Sequence, residues 1–170
     1  MKKNSITVFV LCLCTFTFAQ KQNFITVSTS FEKPGINVLN SYGLSFERQF
    51  SNHWGFEVGL NEKDFIFPSE NIKVKFATIP INLKYYSNIV NIKLGAEANF
   101  YGGFKYISDL VVANPLYIDF FKVTYSGKIS KDIDVTPKLI FEPEVSLNLF
   151  NPVNYSDLSL GIGLKLKYKL

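Results

Sequence analysis

Hydrophobic positions recur at every second residue along most of this chain. The pattern is plainest from Asp157 to Leu170, where Leu158, Leu160, Ile162, Leu164, Leu166, Tyr168 and Leu170 alternate with Ser159, Gly161, Gly163, Lys165, Lys167 and Lys169. A strand sends successive side chains to opposite faces, so this segment has one apolar face and one small or cationic face. A helix requires a period of 3.6. A long apolar strand with open edges is an aggregation hazard, which argues for closure into a barrel.

Seven earlier segments read the same way. Gln22 to Glu32 sets Ile25, Val27, Thr29 and Phe31 against Thr26, Ser28, Ser30 and Glu32, and Lys33-Pro34-Gly35 breaks it. Leu39 to Phe50 sets Tyr42, Leu44, Phe46 and Phe50 against Gly43, Ser45, Glu47 and Gln49, with Arg48 on the apolar face near a strand end. Trp54, Phe56, Val58 and Leu60 then oppose Gly55, Glu57, Gly59 and Asn61, and a polar connection follows to Asn71. In Ile72 to Tyr86 the apolar phase changes between Phe76 and Ile79, which predicts a bulge near Pro80. Val90 to Phe104 alternates as far as Tyr101, and Gly102-Gly103 opens a long connection. Leu116 to Ser130 is the least regular. Val135 to Leu149 alternates, with Pro137 and Pro143 on its apolar side predicting local bulges. The result is eight strands in one domain, with no helix and no internal repeat.

Period-two strands suit both soluble and membrane barrels. Three features favour an eight-stranded antiparallel up-and-down transmembrane β-barrel. The connections after the odd strands read as long and those after the even strands as short, as in outer-membrane barrels with short periplasmic turns. The polar face carries charges of both signs: Glu47, Glu57, Glu97, Glu142 and Glu144 against Lys84, Lys93, Lys122, Lys138, Lys165 and Lys167. An eight-stranded lumen is just wide enough for side chains to fill, and charges buried there must pair. Aromatics gather at strand ends. Phe50, Trp54, Tyr85 and Tyr86 lie beside the short turns; Phe65, Phe67, Tyr101, Phe104, Tyr106, Phe150 and Tyr155 lie beside the long loops, as two interfacial girdles would. The alternative is a soluble periplasmic, lipocalin-like barrel that binds a small apolar ligand.

The central hairpin carries a resemblance. Ala77-Thr78-Ile79-Pro80-Ile81-Asn82-Leu83-Lys84-Tyr85-Tyr86, a short turn, and then Lys93-Leu94-Gly95-Ala96-Glu97-Ala98 resemble the signature of the PorT-like outer-membrane β-barrel proteins of Bacteroidetes. Ile79, Pro80, Ile81, Leu83, Lys84, Tyr85 and Gly95 carry the likeness. It implies an eight-stranded barrel and a link, through the name-giving member, to protein secretion.

Composition narrows the function. Met1 to Gln20 reads as a secretory signal: Lys2 and Lys3, then the uncharged run Ile6 to Ala19, with cleavage expected before Gln20. Cys12 and Cys14 lie inside that run, without the preceding small residues that a lipid-anchor site needs. The expected division is residues 1–19 as signal and 20–170 as the barrel. Loss of Lys2 and Lys3 lowers the formal net charge from +4 to +2, too little and too interleaved for a nucleic-acid binder.

Catalytic chemistry is sparse. His53 is the one histidine, and it lies in a tight turn beside Trp54. Glu142 and Glu144 share a strand face, but read as lumen carboxylates paired with Lys138 and Lys165. No catalytic, cofactor-binding or metal site is expected. The expectation is a non-enzymatic, monomeric outer-membrane barrel serving surface interaction or envelope and secretion assembly. Its expected partners are outer-membrane lipid, the barrel-insertion machinery and an unidentified protein. Leu164, Leu166, Tyr168 and Leu170 form the expected insertion signal; such signals usually end in an aromatic, whereas this chain ends in leucine.

Overall fold

A computed structural model describes residues 22–33, 38–67, 72–106, 120–149 and 158–170. Nine strands follow in chain order: β1 Gln22–Lys33, β2 Val38–Gln49, β3 Trp54–Phe67, β4 Ile72–Tyr85, β5 Asn91–Tyr106, β6 Phe121–Ser130, β7 Ile133–Asp134, β8 Leu139–Leu149 and β9 Leu158–Lys169. All pair antiparallel with their sequence neighbours, except that the two-residue β7 pairs only with β8. β1 also pairs with β9, and β6 with β8, so eight long strands close into a barrel without a free edge. The strand order and closure are those expected from the alternation.

The pairing register fixes the size of the barrel. One ladder runs Leu139, Tyr168, Ile25, Phe46, Val58, Ile81, Ala96, Tyr125 and back to β8 at Leu149, ten residues beyond its start. Eight strands with that stagger tilt by about 40° and enclose an interior that side chains can fill.

The faces are inverted relative to a water-soluble protein. Outward residues include Val27, Leu44, Leu60, Ile81, Leu94, Ile129, Val145, Ile162 and Leu164, each at least half exposed. Inward residues include Glu47, Lys84, Lys93, Glu142 and Lys167, all fully buried. Summing rise and stagger, the outward apolar belt is about 25 Å tall, the height of the apolar band on outer-membrane barrels. Its lower rim carries Trp54, Tyr85, Arg48 and Tyr168. Its upper rim carries Leu149, Leu158 and Ala77.

At that rim and above it the strands change what they hide. In β3, outward Leu60 gives way to Glu62; in β4, outward Ala77 gives way to Lys75 and Lys73. The inward face changes the opposite way, to Phe65, Phe67, Ile72, Val74 and Phe76, all at most 5% exposed. This corrects three expectations. The segment after Asn61 is not a polar connection, because β3 continues to Phe67 in unshifted register with β4, with Lys63, Phe65 and Phe67 buried on its inward phase. Phe65 and Phe67 are not girdle residues, because they point inward. β4 has no phase change at Pro80: Ile72, Val74, Phe76, Thr78, Pro80, Asn82 and Lys84 all face inward. The sequence pattern flips because the surroundings flip, from water above the belt to the apolar belt itself.

The bulge lies instead in β5. Register with β4 shifts between Lys75 and Phe76, where Gly103 pairs with Lys75 and Tyr101 with Phe76, leaving Gly102 extra. Gly103 adopts φ of 125°, a backbone region that side chains disfavour, so glycine is required there. Gly102 and Gly103 thus lie within a strand rather than opening a connection. Pro80 leaves the β3–β4 register unchanged, although the ladder skips from Val58–Ile81 to Asn61–Thr78 around it. Pro137 lies in the exposed turn before β8, and Pro143 sits where β8 changes partner from β7 to β6, with the β8–β9 register unbroken.

Connection lengths differ from the expected alternation as well. Those between β1 and β2 and between β3 and β4 span four residues each (34–37 and 68–71), no longer than the lower turn 50–53. Projection of the strands themselves, in β3 and β4 above all, supplies the upper structure there. The signal segment, residues 116–119 of the sixth expected strand, Phe150 and Tyr155 lie outside the described residues.

Candidate functional site

Among the described residues, charge, burial and geometry converge in the interior. Its lowest layer forms because β2, β4, β8 and β9 each place an ionisable residue inward at the same height. Lys84 Nζ lies 3.1 Å from both Glu47 Oε2 and Glu142 Oε1. Lys167 Nζ lies 2.7 Å from Glu47 Oε1 and 3.4 Å from Glu142 Oε2. Asp132, in the turn after β6, reaches back to Lys167 at 3.2 Å and Lys84 at 3.6 Å. Tyr86 donates its hydroxyl to Glu47 Oε1 at 2.7 Å, and Lys167 stands 4.5 Å above the buried Phe24 ring. Aromatic rings and a carboxylate therefore close the lower mouth.

The next layer shares Glu142 with the first. Lys93 Nζ is 2.7 Å from Glu142 Oε1, 2.7 Å from Glu144 Oε2 and 3.4 Å from Glu57 Oε2. Lys165 Nζ meets Glu57 at 2.6 Å and Glu144 at 3.5 Å. Higher still, Lys128 lies 3.3 Å from Glu97, which also pairs with Lys63. Asn99 bridges Thr78 and Thr124 beside them. Among the described residues, six lysines (63, 84, 93, 128, 165, 167) thus meet six carboxylates (Glu47, Glu57, Glu97, Asp132, Glu142, Glu144). Taking these ions from water is costly, and each is offset by at least one opposite charge, most of them by two or more. Within the network the two signs balance, and Glu32, also buried on the inward face, accepts from Ser159 at 3.2 Å above it.

Above it sits an apolar cluster of Leu39, Phe65, Phe67, Ile72, Val74 and Phe76, with Tyr101 packed against it. Phe65 stacks on Phe67 at 6.1 Å and meets Phe76 edge-on at 5.8 Å. The charged plug is therefore capped by a small hydrophobic core. A lipocalin-like cavity needs apolar walls around an open volume; here the middle of the lumen holds ion pairs.

Most of the expected charge-bearing residues come together in this network: Glu47, Glu57, Lys84, Lys93, Glu97, Glu142, Glu144, Lys165 and Lys167. Lys138 does not. It is exposed in the lower turn, its Nζ 6.0 Å from the Tyr168 ring, because β8 begins only at Leu139 and residues 135–138 form a turn held by Thr136. Glu142 pairs with Lys84, Lys93 and Lys167 instead. Lys122 keeps the inward phase near the top of β6 and is half-buried. Lys63, Lys128 and Asp132 were missed. The signal for Lys63 was its phase: it follows Glu57 at an even spacing, as Phe65 and Phe67 do. Asp132 carried no signal, since a turn residue reaching back into a lumen has no periodicity.

In the central hairpin, Ile79, Ile81 and Leu83 face outward while Pro80 and Lys84 face inward. Gly95 pairs with Asn82, and a Cβ on it would stand 2.1 Å from Asn82 Oδ1 and 2.5 Å from the Ile81 carbonyl oxygen. In β9, Leu164, Leu166 and Tyr168 lie in the belt, and Leu170 donates its N–H to the Asn23 carbonyl at 3.0 Å. His53 stacks on Tyr85 at 5.8 Å, with Nδ1 3.2 Å from the Tyr86 carbonyl oxygen. No group of three or more metal-ligating side chains is assembled among the described residues.

No protein-family model matches the chain, and no curated protein matches its sequence. Solved structures do match in fold. The outer-membrane protein OprG of Pseudomonas aeruginosa is 12% identical, with a TM-score of 0.54 over 89% of this chain and 97% of its own. Neisserial surface protein A is 15% identical, with a TM-score of 0.53 over 88% and 96%. Ail, the attachment invasion locus protein of Yersinia pestis, is 12% identical, with a TM-score of 0.50 over 89% and 98%. At these identities the likeness is one of fold: this chain is a closed, eight-stranded antiparallel barrel of the outer-membrane type.

Proposed function

We propose that this chain is a non-enzymatic, monomeric outer-membrane barrel whose lumen is sealed to solutes. The observation that carries this reading is the inversion of the two faces: an apolar belt of about 25 Å outside, and, among the described residues, an ion-pair network of six lysines and six carboxylates inside. Residues 1–19 act as the export signal. β9 supplies the insertion signal through Leu164, Leu166, Tyr168 and Leu170, and the lower mouth faces the periplasm. With the lumen filled and no catalytic constellation among the described residues, the working surfaces are the two ends. The upper projection serves surface interaction, or the lower rim serves envelope or secretion assembly with a protein partner. The central hairpin, with Ile79, Pro80, Ile81, Leu83, Lys84, Tyr85 and Gly95, supports the PorT-like reading and, with it, the assembly role.

Two measurements test this. Membrane-extracted protein should migrate differently on a gel before and after boiling, and recovery in the soluble fraction would sink the membrane reading. In planar bilayers the protein should give no steady conductance, and a large, stable one would refute the sealed lumen. Crosslinking in native membranes would identify the partner.

A further inference from the structure

We propose that the outer wall of the barrel, at its upper rim over β2 to β5, holds one phosphate-bearing lipid of the surrounding leaflet. This rests on the outer-membrane reading above. A groove of about 550 Å³ lies on that wall. It exists because Ala77 and Gly102 are small where their neighbours are large. Its lower part is walled by Leu44 and Leu60, 59% and 62% exposed, and lies within the apolar belt. Its upper part is walled by Tyr42, Glu62 and Lys75. Tyr42 donates to Glu62 at 3.1 Å, and Lys75 Nζ meets the same carboxylate at 2.5 Å. Rise and stagger place Leu60 about 5 Å below Glu62 and Lys75 about 8 Å above Glu62. A ligand filling this groove must be apolar below and polar above, as a lipid is.

Charge selects the headgroup. Above the groove, Lys73 and Lys105 are direct cross-strand partners on the outward face. Like charges placed so repel one another. Lys73 is offset by Asp64 at 2.6 Å and Lys75 by Glu62. No carboxylate pairs with the exposed Lys105 among the described residues. Three lysines thus stand over two carboxylates, about 5 to 13 Å above the rim at Ala77 by rise and stagger, where long side chains can reach a lipid headgroup. A phosphate there gains Lys105 and relieves its repulsion with Lys73, while the acyl chain covers Leu44, Ala77 and Leu60.

Native mass spectrometry of the full-length folded barrel, released from detergent with added lipid, tests the site. The probes are dimyristoyl phosphatidylglycerol, dimyristoylglycerol without phosphate, and inorganic phosphate. Wild type should retain one phosphatidylglycerol in preference to the other two. Ala77→Phe fills the groove and should lower that retention about tenfold, as loss of one acyl contact patch predicts. Lys105→Gln should lower it about threefold and leave dimyristoylglycerol unchanged. Equal retention of both lipids, or wild-type retention by Ala77→Phe, overturns the site. Heat-modifiable migration of the same samples separates the two readings: a folded, membrane-extracted barrel that retains no lipid refutes only this site, whereas a water-soluble chain refutes both.

Discussion

Lys165 Nζ meets Glu57 Oε1 at 2.6 Å across the lumen, although β9 and β3 are separated by β1 and β2. Both side chains are almost completely buried. Neutralising one partner leaves the other with only a longer contact, Glu57 to Lys93 at 3.4 Å or Lys165 to Glu144 at 3.5 Å, and leaves the buried network with an unbalanced charge, which costs about 3 kcal/mol. Glu57→Gln and Lys165→Met should each lower unfolding stability by that order in urea titrations followed by heat-modifiable migration. Because the double variant removes one charge of each sign and restores the balance of the network, it should lose less than the sum of the two. Additive losses would show that the pair is not a coupled unit.

Gly95 is required by contact rather than by conformation. A Cβ there would collide with Asn82 Oδ1 and with the Ile81 carbonyl oxygen. The amide can swing away, but the backbone oxygen cannot. Gly95→Ala should therefore cost about 1–3 kcal/mol, and the cost should persist in an Asn82→Ala background. Full rescue by Asn82→Ala, measured in a double-mutant cycle, would place the whole collision on the side chain.

The apolar cap and the charged plug should be separable. Phe65→Ala and Phe76→Ala each remove a large ring from the cluster above the belt, and should cost about 3–5 kcal/mol. They leave the ion pairs of Glu57, Glu142 and Glu144 in place, so conductance in planar bilayers should stay closed. A conducting Phe65→Ala barrel would assign the seal to the cap alone.

The barrel was legible because a strand closing around side chains writes its two faces into every second residue. Glu47, Glu57, Lys84 and Lys93 announce an interior by falling in phase with serines and glycines, opposite leucines and isoleucines. That inference assumes one environment along each strand. It fails where β3 and β4 leave the apolar belt, since Phe65 and Val74 are then apolar for the reason that makes a soluble core apolar. Lys63 was lost in that inversion, and Lys138 was gained because a turn and a strand end look alike in sequence. Which lysine meets which glutamate was not readable, because those pairs cross the lumen between strands whose facing depends on the stagger.

The position of the belt gives the sharpest test of that stagger. Leu164 and Leu158 both face outward on β9, 50% exposed each, with the same chemistry and the same strand neighbours in kind. They differ in height: the register places Leu164 near the middle of the belt and Leu158 at its upper rim. An arginine in the middle of a bilayer costs about 2–4 kcal/mol on a barrel's outer face, and about 0–1 kcal/mol near the interface, where its side chain reaches water. Leu164→Arg should therefore destabilise the folded barrel in lipid vesicles by about 1–4 kcal/mol more than Leu158→Arg does. Urea titrations of both variants in the same vesicles decide the matter. Equal costs would mean that the belt does not sit in the membrane as the stagger places it, and a soluble barrel would give small costs at both positions.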